Sequence, residues 1–376
     1  MTALRTLFFL SALSFLTSAL IAQTTTGTLL HDGLQRNYRL HLPTGYSADQ
    51  EYPLVFNLHG FTSDALQQEF YSGMNAVADT AGFIVCYPNG VNNAWNVGWS
   101  FGSTADDVGF IESLIQELAE NYGIDTTRVY SCGMSNGGFM SYRLACELND
   151  RIAAIASVTG GMFSGYLPQC EPGRPVPILE IHGTADDVVP YNGTPNVNVP
   201  VETTVNFWAD NNGCAAMPDG IPLPNTAPND GSTAERFDYP GCTSGAAVSL
   251  IKITGGGHTW PGSGIIIGST NQDFNASATI WQFFQQFQLD LTSPTRDLPL
   301  SRQELLVYPN PASSQLRIVS SDRPWTDYTI YSTAGRAAIS GKVHRQPIDV
   351  SRLPSGIYYL LVSNQREWNR VRFVKE

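Results

Sequence analysis

The residues best suited to covalent chemistry surround Ser135, in the segment Gly133-Met134-Ser135-Asn136-Gly137. A β-prone run at 128–132 precedes this segment, and a helical pattern at 139–148 follows it. The sequence G-x-S-x-G between a strand and a helix predicts a nucleophile elbow, a sharp turn that lifts a serine hydroxyl clear of the sheet. Because strand and helix crowd such a turn, the glycines around the serine fit this interpretation.

A serine hydroxyl becomes a good nucleophile when a base removes its proton, and a histidine held by a carboxylate does so near neutral pH. Chains with this elbow carry the three groups in the order serine, acid, histidine. His258 is the preferred base, since His182 precedes the candidate acids and His344 lies in a separate C-terminal module. Asp186 is the preferred acid, and the adjacent Asp187 is the alternative.

Two backbone N–H groups are needed to stabilise the negative charge that develops on an attacked carbonyl oxygen. The Asn136 N–H follows the serine directly, and the Phe61 N–H lies in the loop after an earlier predicted strand. We expect these two groups to form the oxyanion hole. We further expect Trp260, two residues after the candidate base, to form an aromatic substrate-binding wall with Trp95 and Trp99.

A metal site is the alternative use of the histidines. His59, His182 and His258 lack H-E-x-x-H or a comparable ligand spacing, so we expect no metal and no cofactor. The His59 side chain is instead predicted to be structural, at the end of a strand. The pair Asp106-Asp107 is interpreted as the start of a helix rather than as catalytic carboxylates.

The pattern of apolar residues predicts the elements that would position these groups. Apolar runs alternate with segments of helical period, an order typical of an α/β fold with a mostly parallel sheet flanked by helices. Residues 187–240, rich in proline, are predicted to be irregular apart from one helix. Strands are predicted at 26–42 (as one or two strands), 53–58, 83–87, 128–132, 152–158, 176–181 and 248–253, and helices at 64–81, 107–122, 139–148, 201–211 and 275–287.

The charge distribution divides the chain of 376 residues into two modules. The net charge is −12, but residues 1–290 hold 9 Lys+Arg and 26 Asp+Glu, giving −17, whereas residues 291–376 hold 12 and 7, giving +5. An acidic main body argues against nucleic-acid binding, which requires a basic surface. The C-terminal module, with short β-prone runs, predicts a small all-β sandwich.

The first 22 residues predict a signal peptide, since Arg5 precedes a short apolar run and Ala22 suits cleavage. No other run is long and apolar enough to predict a membrane span. An exported chain can keep disulfides. Cys214–Cys242 is the favoured bridge and Cys146–Cys170 the second, while Cys86 and Cys132 lie in predicted strands and are expected to be buried thiols.

Four motifs follow one another along the main body of the chain: LHGFTSDA at 58–65, GMSNGG at 133–138, IHGTADDVVPY at 181–191 and GGGHTWPG at 255–262. Together they resemble carbohydrate esterase family one, the feruloyl and acetylxylan esterases and the proteins labelled polyhydroxybutyrate depolymerase. The resemblance extends over about 27–288, and it implies an α/β-hydrolase fold with Ser135, Asp186 and His258 as the triad.

Residues 305–376 resemble the C-terminal sorting domain of proteins exported by the type IX secretion system, through VYPNPASSQLRI at 307–318 and LPSGIYYLLV at 353–362. That resemblance implies the secretion machinery as a partner and a secreted or cell-surface location. The predicted organisation is therefore a signal peptide at 1–22, an esterase domain at 23–288, a linker at 289–304 and a sorting domain at 305–376.

The predicted activity is serine esterase action on feruloyl or acetyl esters of plant polysaccharide. Polyester depolymerisation is the alternative within the same chemistry, while a serine peptidase or a non-catalytic surface protein fits less well. The aromatic-rich segment 91–101 favours a planar acyl group over an aliphatic polyester.

Overall fold

The protein divides into two compact units, with the boundary after residue 291. The computed structural model describes residues 23–290, 306–319, 325–332, 337–343, 347–363 and 368–376. The predicted signal peptide and most of the predicted linker lie outside the described residues. Within the described part of the chain, no helix combines the length and the apolar content needed to cross a membrane.

The first unit alternates strands and helices along most of its length, as the apolar pattern predicted. The strands are β1 (Gln23–His31), β2 (Leu34–Leu42), β3 (Tyr52–Leu58), β4 (Ile84–Pro88), β5 (Ile124–Met134), β6 (Ala154–Val158), β7 (Ile178–Gly183), β8 (Asp219–Pro222), β9 (Thr233–Tyr239) and β10 (Val248–Thr254). The helices are α1 (Ala65–Ser72), α2 (Met74–Ala81), α3 (Asp107–Asn121), α4 (Asn136–Glu147), α5 (Val201–Asn211) and α6 (Ala276–Phe284).

All ten strands of the first unit form one sheet, in the order β1-β2-β4-β3-β5-β6-β7-β10-β9-β8. The six central strands, from β4 to β10, are parallel, and antiparallel strands extend the sheet at both edges. Because the carboxyl ends of parallel strands meet at one edge, the loops after β3, β5, β7 and β10 converge there. This edge carries the candidate site.

An apolar core lies on each face of the sheet. In β3, Leu54, Phe56 and Leu58 belong to one cluster, while Val55 belongs to the other, as the alternation of side chains along a strand requires. The first cluster includes apolar residues of α3, α4 and α5, and the second includes residues of α1, α2 and α6. Helices therefore cover both faces, which explains why the central strands are continuous apolar runs.

Two predictions about the secondary structure of the first unit are wrong. The single helix predicted at 64–81 is two helices, because Gly73, at φ 61°, ends α1 and begins α2 in the left-handed conformation. The segment 187–240, predicted to be irregular apart from one helix, also contains β8 and β9, which continue the sheet beyond β10. The predicted helix start at Asp106 is confirmed, since its carboxylate accepts the Gly109 N–H at 3.0 Å.

Both predicted disulfides are present. Cys214–Cys242 and Cys146–Cys170 are bridged, and Cys86 and Cys132 are buried free thiols, as predicted. Each bridge closes a local loop of the first unit, with sequence separations of 28 and 24.

The C-terminal unit consists of two antiparallel sheets, of order β11-β12-β15 and β14-β13-β16-β17. Residues of both sheets, among them Leu316, Ile330 and Phe373, share one buried apolar cluster, which makes this unit the predicted sandwich. The strands are β11 (Leu306–Tyr308), β12 (Gln315–Val319), β13 (Asp327–Ser332), β14 (Ala337–Lys342), β15 (Ile348–Asp349), β16 (Gly356–Ser363) and β17 (Trp368–Lys375).

Candidate active site

Ser135 lies in a strained turn between β5 and α4. Its φ of 53° and ψ of −122° belong to a region that L-residues rarely occupy, and its neighbours hold it there. The Ser135 N–H donates to Val158 O at 2.9 Å, and the Phe139 N–H donates to Ser135 O at 3.0 Å. The residue remains 8% exposed. This geometry is that of the nucleophile elbow expected from the sequence.

The glycines around Ser135 are required because the start of α4 lies very close to strands β3, β5 and β6. A Cβ added to Gly137 would lie 2.1 Å from Leu58 O, on β3. A Cβ added to Gly133 would lie 2.5 Å from the Gly137 carbonyl carbon, and one added to Gly138 would lie 2.6 Å from Ser157 Oγ, on β6. The start of α4 is therefore packed directly against the backbone of the sheet, which fixes the position of the serine.

Asp186 and His258 are in contact at the same edge of the sheet. Asp186 lies in the loop after β7 and His258 in the loop after the neighbouring strand β10. The distance between His258 Nδ1 and Asp186 Oδ2 is 2.8 Å. Because Nδ1 faces a carboxylate, it carries the proton, and Nε2 is the nitrogen with the free lone pair.

The Asp186 carboxylate is buried and surrounded by donors. Oδ1 accepts the backbone N–H groups of Val188 at 2.9 Å and Val189 at 2.8 Å, while His182 Nε2 lies 3.4 Å from Oδ2. Burial alone would raise the pKa of Asp186, but the hydrogen bonds from His182 and His258 outweigh it and hold the pKa well below its usual range. Asp187, the alternative acid, is exposed.

The two predicted oxyanion donors belong to segments that adjoin Ser135. A Cβ added to Gly60 would lie 3.5 Å from Ser135 Cβ, so the loop after β3 passes beside the serine and carries the next residue, Phe61. Asn136 is the first residue of α4, where backbone N–H groups have no acceptor within the helix. Their position agrees with the expected oxyanion hole, and the role itself stays a prediction.

The side chain of Asn136 has a second use that the sequence did not indicate. Its Oδ1 accepts the Trp95 N–H at 2.6 Å, and its Nδ2 donates to Trp95 O at 3.3 Å. The Trp95 indole in turn donates to His59 O at 2.9 Å. These bonds fasten the loop after β4 to the elbow. His59 accepts the Gly90 N–H at Nε2 and bonds Gly60 O through Nδ1, which confirms its structural interpretation.

The aromatic wall expected from three tryptophans requires a correction. Trp260 is 0% exposed and Trp95 is 1% exposed, so neither ring presents a face to a substrate. Trp99 is half-buried and stacks on Phe101 at a centroid distance of 4.9 Å. The exposed aromatic surface near the serine consists instead of Phe101 and Phe61, whose rings meet edge to face at 5.9 Å.

The interior position of Trp260 leads to a prediction about stability. Its indole N–H donates to Ser277 Oγ at 3.2 Å, and its backbone N–H donates to Tyr71 OH at 3.1 Å. Truncation in Trp260→Ala should lower the free energy of unfolding by about 3–5 kcal/mol, because it leaves a cavity in the core. Urea denaturation measures this change, and Phe70→Ala, which removes an exposed ring, should cost less than about 0.5 kcal/mol.

The same variant tests the corrected role of Trp260 in catalysis. If Trp260 only supports the loop of His258, any loss in kcat/KM should be equal on methyl ferulate and on 4-nitrophenyl acetate. A selective loss on methyl ferulate would contradict the burial of the ring and restore the stacking wall.

Two buried side chains behind Asp186 were not predicted from the sequence. Glu180 and His182, both 0% exposed, lie on β7, and His182 Nδ1 is 2.9 Å from Glu180 Oε1. The signal was present in the sequence, because charged residues at alternate positions of an otherwise apolar central strand are rarely buried without a partner.

Both units of this chain match known protein families. Residues 36–207 match the family described as Esterase PHB depolymerase, and residues 306–376 match the secretion system C-terminal sorting domain. Feruloyl esterase C of Emericella nidulans is 31% identical over 258 residues, which cover 66% of this chain and 83% of that protein.

Two longer relatives match over a smaller share of their length. Feruloyl esterase B of Piromyces equi is 34% identical over 236 residues, 59% of this chain and 42% of that protein. The bifunctional acetylxylan esterase/xylanase of Neocallimastix patriciarum is 30% identical over 260 residues, 69% of this chain and 34% of that protein. This chain thus spans less than half the length of these two relatives.

Proposed function

The chain belongs to the esterase PHB depolymerase family and is a serine carboxylic-ester hydrolase, and from this premise we propose that it removes feruloyl or acetyl esters from plant polysaccharide. The observation that carries the proposal is the 2.8 Å contact between Asp186 and His258, at the edge of the sheet where Ser135 occupies its strained turn. The relatives with named substrates, which are feruloyl and acetylxylan esterases, support this substrate class.

In the proposed mechanism, His258 Nε2 takes the proton of Ser135 as the serine oxygen attacks the ester carbonyl carbon. Asp186 holds the imidazole in the required tautomer and stabilises the imidazolium that forms. The backbone N–H groups of Phe61 and Asn136 stabilise the oxyanion. His258 then protonates the leaving alcohol, and water, activated by the same histidine, releases the acid from the acyl-enzyme.

A substrate panel tests the proposed substrate class directly. Release rates are measured from methyl ferulate, acetylated xylan, 4-nitrophenyl butyrate and polyhydroxybutyrate granules. Higher kcat/KM on methyl ferulate or acetylated xylan than on the other two supports the proposal. Rapid release from the granules, with slow release from methyl ferulate and from acetylated xylan, would contradict it.

Polyester hydrolysis is the second candidate function. The family description includes depolymerases, and Ile265, Ile266 and Ile267 are all exposed in the segment that follows the loop of His258. An exposed aliphatic segment near the site suits an aliphatic polymer better than a sugar, which presents hydroxyl groups.

The exposed aromatic pair gives a prediction about substrate choice. Phe101 is 48% exposed, and Phe61, which follows Gly60 in the loop beside the serine, is 43% exposed. A planar acyl group stacked on Phe101 would gain roughly 0.5–1.5 kcal/mol beyond simple burial. Phe101→Ala should therefore lower kcat/KM on methyl ferulate by up to about tenfold, and on 4-nitrophenyl acetate by less than about twofold.

The matched control is Phe70→Ala, which removes an exposed ring of α1 outside this pair and should leave both rates unchanged. Equal losses on the two esters in Phe101→Ala would show that Phe101 supports Trp99 rather than binding substrate.

Export is the expected task of the C-terminal unit. The chain carries a secretion system sorting domain at 306–376, which makes it a protein exported to the outside of the cell. We propose that the type IX machinery recognises this unit, and that the esterase unit, which contains every proposed site residue, is its cargo.

A further inference from the structure

A line of buried polar side chains runs from α4 to the Asp186 carboxylate. Tyr142 OH, on α4, donates to Glu180 Oε2 at 2.8 Å, and Glu180 Oε1 lies 2.9 Å from His182 Nδ1. His182 Nε2 lies 2.8 Å from Val189 O and 3.4 Å from Asp186 Oδ2. All four side chains in this line are buried beneath the candidate site.

The surroundings of His182 require it to be a cation. One ring nitrogen faces the Glu180 carboxylate, and the other faces Val189 O and the Asp186 carboxylate, so each nitrogen has only acceptors to meet. A neutral ring would place a lone pair against one of these oxygens. Burial alone would lower the pKa of His182, but the hydrogen bonds to Asp186 and Glu180 raise it to about 9.

The nearby side chains of Tyr191 and Lys252 do not replace the carboxylates as charged partners of His182. The Tyr191 ring meets His182 edge to face at 5.9 Å, and its hydroxyl binds Glu202 at 3.1 Å, away from the imidazole. Lys252 Nζ lies over the Tyr191 ring, at 4.9 Å from its centre. The charges that touch His182 directly are thus Glu180 and Asp186.

We propose that Glu180 and His182 are positioning residues for the catalytic pair, with His182 fixing the Asp186 carboxylate and Glu180 offsetting the charge of His182. This inference rests on the proposed roles of Asp186 and His258. A cationic His182 alone would cancel the charge of Asp186 and weaken its stabilisation of protonated His258. With Glu180 present, the side chains of Glu180, His182 and Asp186 together carry a net charge of about −1. Protonated His258 brings this sum to zero when it takes the serine proton.

The test measures kcat/KM on 4-nitrophenyl acetate against pH, since its acid limb reports protonation of His258 in the free enzyme. Glu180→Gln removes a negative charge, so protonated His258 is less stable and the acid limb should move down by about one pH unit. His182→Gln removes a positive charge and should move the limb up. The double variant Glu180→Gln/His182→Gln restores the net charge and should return the limb close to the wild-type value.

Each single variant should also lower the plateau value of kcat/KM by about tenfold, because Asp186 loses part of its support. Asp187→Asn is the matched control: it removes an exposed carboxylate next to Asp186, which water and salt screen, and should change neither the plateau nor the limb. A purely structural role would lower activity or stability in the variants without opposite shifts of the acid limb. Limbs that stay at the wild-type pH in folded single variants would overturn the proposal.

A measurement on the wild-type protein keeps the proposal testable if the variants do not fold. In protein labelled with ¹⁵N-histidine, one ring should keep both nitrogens protonated at pH 8, as expected for His182. The absence of any doubly protonated histidine at that pH would overturn the proposal. Full activity of Ser135→Ala would refute the proposed mechanism itself, whereas unshifted pH profiles with an inactive Ser135→Ala would refute only the role of Glu180 and His182.

Discussion

Ser135→Ala should lower kcat on every ester by about 10⁶-fold, because the variant has no nucleophile to form the acyl-enzyme. The fold should persist, since the Ser135 backbone makes the bonds that hold the turn, to Val158 O and from the Phe139 N–H. The measurement combines kcat on 4-nitrophenyl butyrate with the thermal unfolding midpoint. A midpoint close to that of the wild type would show that the loss is chemical.

The matched control is Ser141→Ala, which changes a buried serine of α4. Its hydroxyl bonds Ser131 Oγ and Gly137 O within the protein, so its loss should affect stability more than kcat. Activity retained in Ser135→Ala would mean that another group attacks the ester, and labelling by a fluorophosphonate would then identify it.

Asp186→Asn should lower kcat by roughly 10⁴-fold, the size of effect expected when a triad carboxylate becomes an amide. The amide can present an N–H to His258 Nδ1, which would move the imidazole proton to Nε2 and leave no base for the serine. One further consequence follows from the bonds around Asp186. The backbone N–H groups of Val188 and Val189 still have the amide oxygen as acceptor, so the loop should keep its conformation.

Asp187→Asn serves as the comparison, because Asp187 is the neighbouring carboxylate and is exposed. It should change kcat by less than about twofold, and the difference between the two variants is measured on 4-nitrophenyl acetate at pH 7.5. A larger loss in Asp187→Asn than in Asp186→Asn would reverse the assignment of the acid.

The sequence predicted those parts of the fold in which local pattern and tertiary packing agree. The helix at 201–211 has the predicted bounds, and β3 and β10 lie within one residue of theirs. The contact of Asp186 with His258 also agrees with the order of the motifs, because neighbouring parallel strands bring their carboxyl ends together.

The errors have separate physical causes. Strand β9, sequence TAERFDY, has only partial burial along its centre and therefore lacks a strong apolar alternation. The helix predicted at 64–81 is interrupted because Gly73 adopts a left-handed conformation, while the residues on both sides follow a helical pattern. The burial of Trp260 and Trp95 is set by packing between distant segments, such as the bond from Trp260 N–H to Tyr71 OH, which local pattern does not encode.

The close packing around the elbow has an evolutionary consequence. Added methyl groups at Gly133, Gly137 and Gly138 would collide with atoms of the sheet or of the elbow itself, so point substitution there would displace Ser135. Descendants of this chain are thus expected to acquire new substrates through other segments. The surface around Phe101 and the exposed isoleucines at 265–267 have no such restriction. Divergence in this lineage should accumulate there, while the turn that carries the nucleophile stays unchanged.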